Sequence, residues 1–301
     1  MTARAGAALV LLVSVASAGC GASGPAPAPE PGRPLLSDLP AIKLGEFQNQ
    51  ARPGSLRDDR GLLLAGAFSD LYHDPRDGAD VFWAVTDRGP TRPSADGTAR
   101  RFEVPDFDPA LLKVLAAPGG VVVLRQLPIL TLAGRSVSGL PNRARAGEAI
   151  VGPDGEPLRA DPGGLDPRGL VRLADGTFWL ADTNGPSVVH LTADGRVLER
   201  WLPRGAGLPD AGYPTAEALP AVLGGAALES LAATAEGRYL YTATSGPDAA
   251  GGGLVRLLAL DTLMARAVGE WVYALEAKEA RLSALAFVDA GRLLAVETTV
   301  I

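Results

Sequence analysis

The chain has one cysteine, two histidines and no excess of positive charge in its 301 residues, and each shortage removes a class of function. With Cys20 alone, no disulfide forms within the chain and no cysteine-based zinc pattern is present. His73 lies in the turn HDPRDG and His190 in an alternating strand, which reads as one surface and one packed histidine. The formal net charge is −6, and removing the first 19 residues, which hold Arg4 and no acid, takes it to −7. That balance lacks the basic footprint of a nucleic-acid-binding protein, and an acidic chain attracts anionic substrates only through clustered cations or a metal. The sequence also lacks a G-x-S-x-G elbow, a G-x-G-x-x-G opening a helix and a G-x-x-x-x-G-K-[ST] loop. These absences disfavour serine hydrolysis, dinucleotide binding and P-loop chemistry. Long amphipathic helices are scarce, and the apolar run from Ala7 to Val13 is too short for a membrane span.

That run, with Arg4 before it and small residues after it, reads instead as a secretory signal over residues 1–19. Ser17-Ala18-Gly19-Cys20 resembles a bacterial lipobox, with Ser17 in place of the commoner Leu, so Cys20 is expected to carry a lipid; a free thiol is the plainer alternative. Residues 20–37, small and rich in Pro and Ala, read as a tether, and Gly21 after the cysteine fits the outer-leaflet route if the envelope has two membranes. The expectation is a monomer on the extracytoplasmic side of the cell envelope, with its folded domain at 38–301.

Four stretches of that domain vary one phrase: FSDLYHDPRDGADVFWAVTDRGP (68–90), PRGLVRLADGTFWLADTNGP (167–186), LESLAATAEGRYLYTATSGP (228–247) and LSALAFVDAGRLLAVET (282–298). Each is an apolar strand, a turn carrying Gly and an acid, and a second apolar strand ending in polar residues. Trp83, Trp179, Tyr241 and Leu294 are equivalent, at separations of 96, 62 and 53 residues. Several strands per unit at this period predict an all-β propeller. The first separation is close to twice 48, which predicts another blade between the first two phrases, with strands from GGVVVLRQLPIL (119–130). The ring is expected to have about six blades when complete and five, or an open ring, here, since ETTVI ends the chain directly after a strand. The segments 135–166 and 203–224 read as long loops over one face.

In order and spacing these phrases resemble the bacterial phytase-like family described as having esterase-like activity, whose pattern is approximately S-D-R-G-P, D-P-E-G, S-D-E-Y-G-P, F-E-G-L and L-E-R-D. Asp87 and Arg88 match the first element, Asp166 and Asp182 parts of the next two, and Glu229 and Glu297 the last two. The chain departs from the pattern at Arg168, where the D-P-E-G glutamate belongs, at Thr183 and Asn184 for Glu-Tyr, and at Thr298 and Thr299 for Arg-Asp. The resemblance implies a secreted or lipid-anchored propeller that hydrolyses a small anionic ester with calcium held by Asp87, Asp182, Glu229 and Glu297. Arg88 and Arg168 would orient the anion by forked contacts. Calcium needs six to eight oxygens, so the missing acids matter. Each Asp also has a structural reading, which the turns favour, as a cap on backbone amides. Two other functions stay open: a non-catalytic surface propeller binding a protein or glycan, and a lactonase-like propeller, because PRGLVRLADGTFWLADT also resembles repeats of the gluconolactonase and NHL-type groups.

Overall fold

A computed structural model describes residues 9–14, 69–94, 96–117, 120–142, 149–221, 227–246 and 253–299. The N-terminal strand β1 (Leu9–Ser14) is described at the backbone level; Cys20, the tether and residues 38–68 lie outside the described residues.

The first phrase forms β2 (Asp70–Tyr72) and β3 (Val81–Val85), paired antiparallel across the HDPRDG turn. The chain then leaves this sheet for a short hairpin, β4 (Thr91–Pro93) and β5 (Ala99–Phe102), before returning as β6 (Ala110–Ala117) and β7 (Gly120–Pro128). The order β2-β3-β6-β7 makes one four-stranded antiparallel blade. The run 119–130, expected to supply strands of a separate blade, instead holds β7, the fourth strand of the first. The 96-residue spacing is one blade lengthened by insertions, because β3 pairs directly with β6 across the β4–β5 hairpin. Strand β8 (Ala149–Val151), in the long 135–166 excursion, joins β5 in parallel and completes a small cap sheet.

The second blade is contiguous: β9 (Pro167–Arg172), β10 (Phe178–Asp182), β11 (Ser187–Leu191) and β12 (Val197–Pro203). The other long loop contributes β13 (Thr215–Leu219), a fifth strand parallel to β12. LADG and TADG close the β9–β10 and β11–β12 hairpins, with Gly176 and Gly195 at φ of 90° and 88°, a conformation in which a Cβ is unfavourable. β10 is FWLAD with every residue buried, as expected of a strand covered on both faces. The third blade is β14 (Leu228–Ala233), β15 (Tyr239–Thr244), β16 (Leu254–Asp261) and β17 (Arg266–Ala274). The fourth begins with β18 (Arg281–Asp289) and β19 (Arg292–Thr298), and β1 pairs antiparallel with β19 as its third strand.

Trp83, Trp179, Tyr241 and Leu294 all fall in the second strand of their sheets, as their alignment predicts. The first strands of successive blades, β2, β9, β14 and β18, lie side by side. This is the arrangement of an open β-propeller, with four blades among the described residues, and its inner strands line a channel. No α-helix occurs among those residues.

The seams between blades carry the core. Leu170, Phe178 and Leu180 of the second blade pack with Trp83, Val85 and Leu111 of the first, and Val171, Trp179 and Ala181 pack with Leu228, Leu231 and Leu240 of the third. Gly169 sets one distance: a Cβ there would lie 2.7 Å from the Leu231 backbone nitrogen, so the second and third blades approach as closely as they do only because this residue has none. At the first seam, buried Asp74 accepts from Arg172 at 2.8 Å and from Arg76 at 2.6 Å, while the Arg172 guanidinium lies over the Trp83 and Phe178 rings. These two arginines hold the Asp74 carboxyl down at about 2.

Candidate functional site

The inner strands β9, β14 and β18 run the same way, so their first residues collect at one end of the channel. Arg168 is the second residue of β9, Glu229 the second of β14, and Arg281 the first of β18. Asp87 and Arg88 follow β3 in the turn T-D-R-G-P, and Asp166 precedes β9. That turn is pinned from inside: the Asp87 Oδ1 accepts from Gly89 N at 2.8 Å, and Gly89, at φ 87°, sits directly against the Phe107 ring.

Asp166 is the hub. Its Oδ1 lies 3.2 Å from Arg168 Nε and accepts from Arg88 N at 3.3 Å, and its Oδ2 lies 3.4 Å from Arg88 Nε and accepts from Thr183 Oγ1 at 2.8 Å. With only 3% of its side chain exposed, it works from below the surface. Arg168 is 34% exposed and Asp87 21%, with Arg168 Nη2 and Asp87 Oδ2 3.8 Å apart; both face solvent at the mouth. Glu229 sits 3.9 Å from Arg281 and helps hold the Arg168 guanidinium charged. Burial is the largest single influence on Arg168 and acts against the charge, but Asp166, Asp87 and Glu229 together outweigh it. Burial pushes the Asp87 carboxyl above its ordinary value, with Gly89 N–H and Arg168 pulling the other way.

The four acids expected as calcium ligands do not converge. Asp87 and Glu229 are at the mouth, but Asp182 is fully buried behind it: Oδ2 is bound by the Arg200 guanidinium and by Ser187 Oγ at 2.8 Å, and Oδ1 accepts from Asp166 N at 2.6 Å and Asn184 N at 3.2 Å. Burial raises its carboxyl against the pull of Arg200. Glu297, in β19, is also buried, accepting from Tyr273 Oη at 2.5 Å and Glu276 N at 3.0 Å. No group of three His, Cys, Asp or Glu side chains is placed to hold a metal among the described residues. The donor set explains why calcium does not fit. Asp166 is engaged by two guanidinium groups, and both oxygens of Asp182 and of Glu297 are taken by buried donors, so among the described residues the expected acids do not supply a calcium ligand set.

Sequence reasoning missed Arg200. Its side chain, with no exposed surface, donates to Asp182, to Ser187 Oγ at 2.8 Å, to Gly164 O and Tyr213 Oη at 3.2 Å and to Asn184 O at 3.3 Å. Tyr213 Oη in turn donates to Gly163 O at 2.8 Å. This network ties both long loops to the second blade and, through the Asp182 bond to Asp166 N, fixes the hub of the mouth. The only signal in the sequence is an arginine in the alternation VLERWL, where a buried acid needs a partner.

The model of the phytase-like family, described as esterase-like activity of phytase, matches residues 64–300. The chain belongs to the phytase-like family. No curated protein matches it. Among solved structures, the phytase-like chain is similar to Kuenenia stuttgartiensis hydrazine synthase (16% identity, TM-score 0.27, covering 44% of this chain and 29% of that one). It is also similar to the Dos1 propeller (10% identity, TM-score 0.31, covering 79% and 54%) and to the Pseudomonas aeruginosa periplasmic gluconolactonase (14% identity, TM-score 0.33, covering 78% and 67%). The phytase-like chain thus spans about a third and about half of the length of the first two structures. At these identities and scores the three similarities carry no functional argument.

Proposed function

We propose that this phytase-like propeller takes a small anionic ester, such as a phosphate ester, at the Asp87–Arg88–Arg168 mouth and hydrolyses it, with guanidinium groups in place of a bridging metal. One observation carries the reading: Arg168, exposed at the channel mouth, stands beside a carboxyl whose proton affinity burial has raised. Arg168, helped by Arg88, binds two oxygens of the anion in a fork, which compensates the charge an acidic protein otherwise repels. Asp87 takes the proton of the attacking water, a role suited to a carboxyl displaced towards neutrality. The new bond joins water oxygen to the ester's phosphorus or carbonyl carbon, the bond to the alcohol oxygen breaks, and the alcohol leaves with the proton that Asp87 took from the water. We further propose residues 1–19 as a cleaved leader, Cys20 as the lipid-bearing residue and 20–37 as the tether, which puts the 38–301 domain at the extracytoplasmic membrane surface; on this reading β1 is lost with the leader, and the fourth blade of the mature chain keeps β18 and β19.

The test compares wild type with Arg168→Gln and Asp87→Asn on a chromogenic phosphate monoester and a carboxylic ester, in the presence of a chelator. Arg168→Gln is expected to raise KM for the anionic substrate, and Asp87→Asn to lower kcat while inorganic phosphate still binds. Equal turnover by all three proteins would overturn the assignment. Phosphate binding without turnover by wild type would favour the non-catalytic surface propeller.

A further inference from the structure

Below its charged mouth the channel changes character within two residues of each inner strand. Arg168, Glu229 and Ser283 are followed at i+2 by Leu170, Leu231 and Leu285. In a strand that spacing keeps side chains on one face and carries them roughly 6.6 Å further along. A cavity of about 430 Å³ lies there, lined by Leu285, Phe287, Ala232 and Ala286 together with the inner-strand leucines Leu170 and Leu231, which also pack in the blade seams. Its volume falls in the roughly 300–1,000 Å³ range of small-molecule sites. One acid, Asp70, reaches the cavity, and each of its oxygens is occupied by a backbone donor, Leu71 N at 2.8 Å and Leu170 N at 2.7 Å. Tyr72 and His73 stand on the same wall. A polyhydroxylated group entering here would meet leucine and phenylalanine and lose its hydrogen bonds to water; a hydrocarbon group would lose nothing.

We infer that the ester bound at Arg168 is amphipathic, with an alkyl or aryl group that occupies the leucine-lined channel beneath its anionic head. This rests on the arginine-mouth reading above and narrows it: the favoured substrates are organic esters with one apolar arm, and a polyol phosphate is a poor one. The site is built for both halves at once, because the polar layer of Arg168, Glu229 and Ser283 and the apolar layer of Leu170, Leu231 and Leu285 are successive same-face positions of the same three strands.

The experiment is calorimetric titration of the full chain, in chelator, with methyl, butyl, hexyl and octyl phosphate. Each methylene that enters the cavity is expected to tighten binding roughly fourfold, the equivalent of about 0.8 kcal/mol. Ala286→Trp fills the cavity from an exposed position in β18 and is expected to flatten this series while leaving methyl phosphate affinity within about twofold. Its melting temperature, measured alongside, checks that the fold is kept. Methyl phosphate binding with no gain along the series, or a full gain retained in Ala286→Trp, would overturn the inference and leave the arginine mouth standing. Failure of every member to bind would overturn both.

Discussion

Replacing Arg200 with Met tests how the mouth is built. The guanidinium is wholly buried and donates to five acceptors, the strongest contact being the ion pair with Asp182, itself wholly buried. Removing one partner of such a pair strands the other charge, which costs about 3–5 kcal/mol. Asp182 keeps three donors, Ser187 Oγ and the backbone nitrogens of Asp166 and Asn184, and its carboxyl is already displaced upward by burial, so part of the cost is relieved by taking up a proton. The loss should therefore sit near the lower end, about 3 kcal/mol, and lower the melting temperature by roughly 6–12 °C for a domain of this size. The sign with pH follows. A carboxyl whose folded value lies above the ordinary 3.8 favours the folded state below that value and loses the contribution as pH rises through the folded value. Arg200→Met should thus recover stability on acidification. Arg200→Met/Asp182→Asn should be more stable than the sum of the single losses, with a coupling of about 1–3 kcal/mol in urea unfolding. Arg200→Met within about 1 kcal/mol of wild type at pH 7, or strict additivity of the pair, would refute the view that Asp182 serves the fold through Arg200.

The remaining predictions concern other acids. Burial raises the Asp70 carboxyl from 3.8 to about 7, so its contribution to stability is complete below pH 3.8 and lost as pH climbs through about 7; melting curves from pH 4 to 8 should fall for wild type and stay flatter for Asp70→Asn, and parallel curves would refute it. Tyr273→Phe removes a donor from buried Glu297 and should cost about 1–3 kcal/mol in urea unfolding without changing phosphate affinity. An unchanged stability would contradict a structural role for Glu297. Because guanidinium groups already engage Asp166 and Arg168 stands beside Asp87, millimolar calcium should leave the melting temperature of the full chain unchanged. A saturable rise would point to a metal site that the described residues do not assemble.

The strands were legible because the phrases repeat a local pattern: apolar strand, tight acidic turn, apolar strand. Hence Trp83, Trp179, Tyr241 and Leu294 align by sequence alone. The blade count was not legible, because the hairpin inserted between β3 and β6 and the long excursion between β7 and β9 lengthen the spacing without adding a blade, and spacing alone does not tell length from number. At the mouth, Asp87, Arg88 and Arg168 are adjacent in space as the turn and strand-start positions suggest. Asp182 and Glu297 match the family pattern equally well yet point into the fold. An acid at a strand end reads the same whether it faces the channel or a buried arginine, and Arg200, which decides the matter for Asp182, looks like an ordinary charge in a hairpin.

The insertion inside the first blade also has a consequence in time. The second blade closes from strands adjacent in the chain, whereas the mouth depends on Arg88 meeting Asp166 78 residues away, and the cap on residue 101 meeting residue 151. Contacts between such distant segments carry the larger loop-closure cost and form after the local hairpins. Assembly of the mouth, and with it the proposed anion binding, should then be the last property to appear on refolding, lagging the recovery of β-sheet signal, so a preparation can look folded by spectroscopy while its phosphate-binding fraction is still rising.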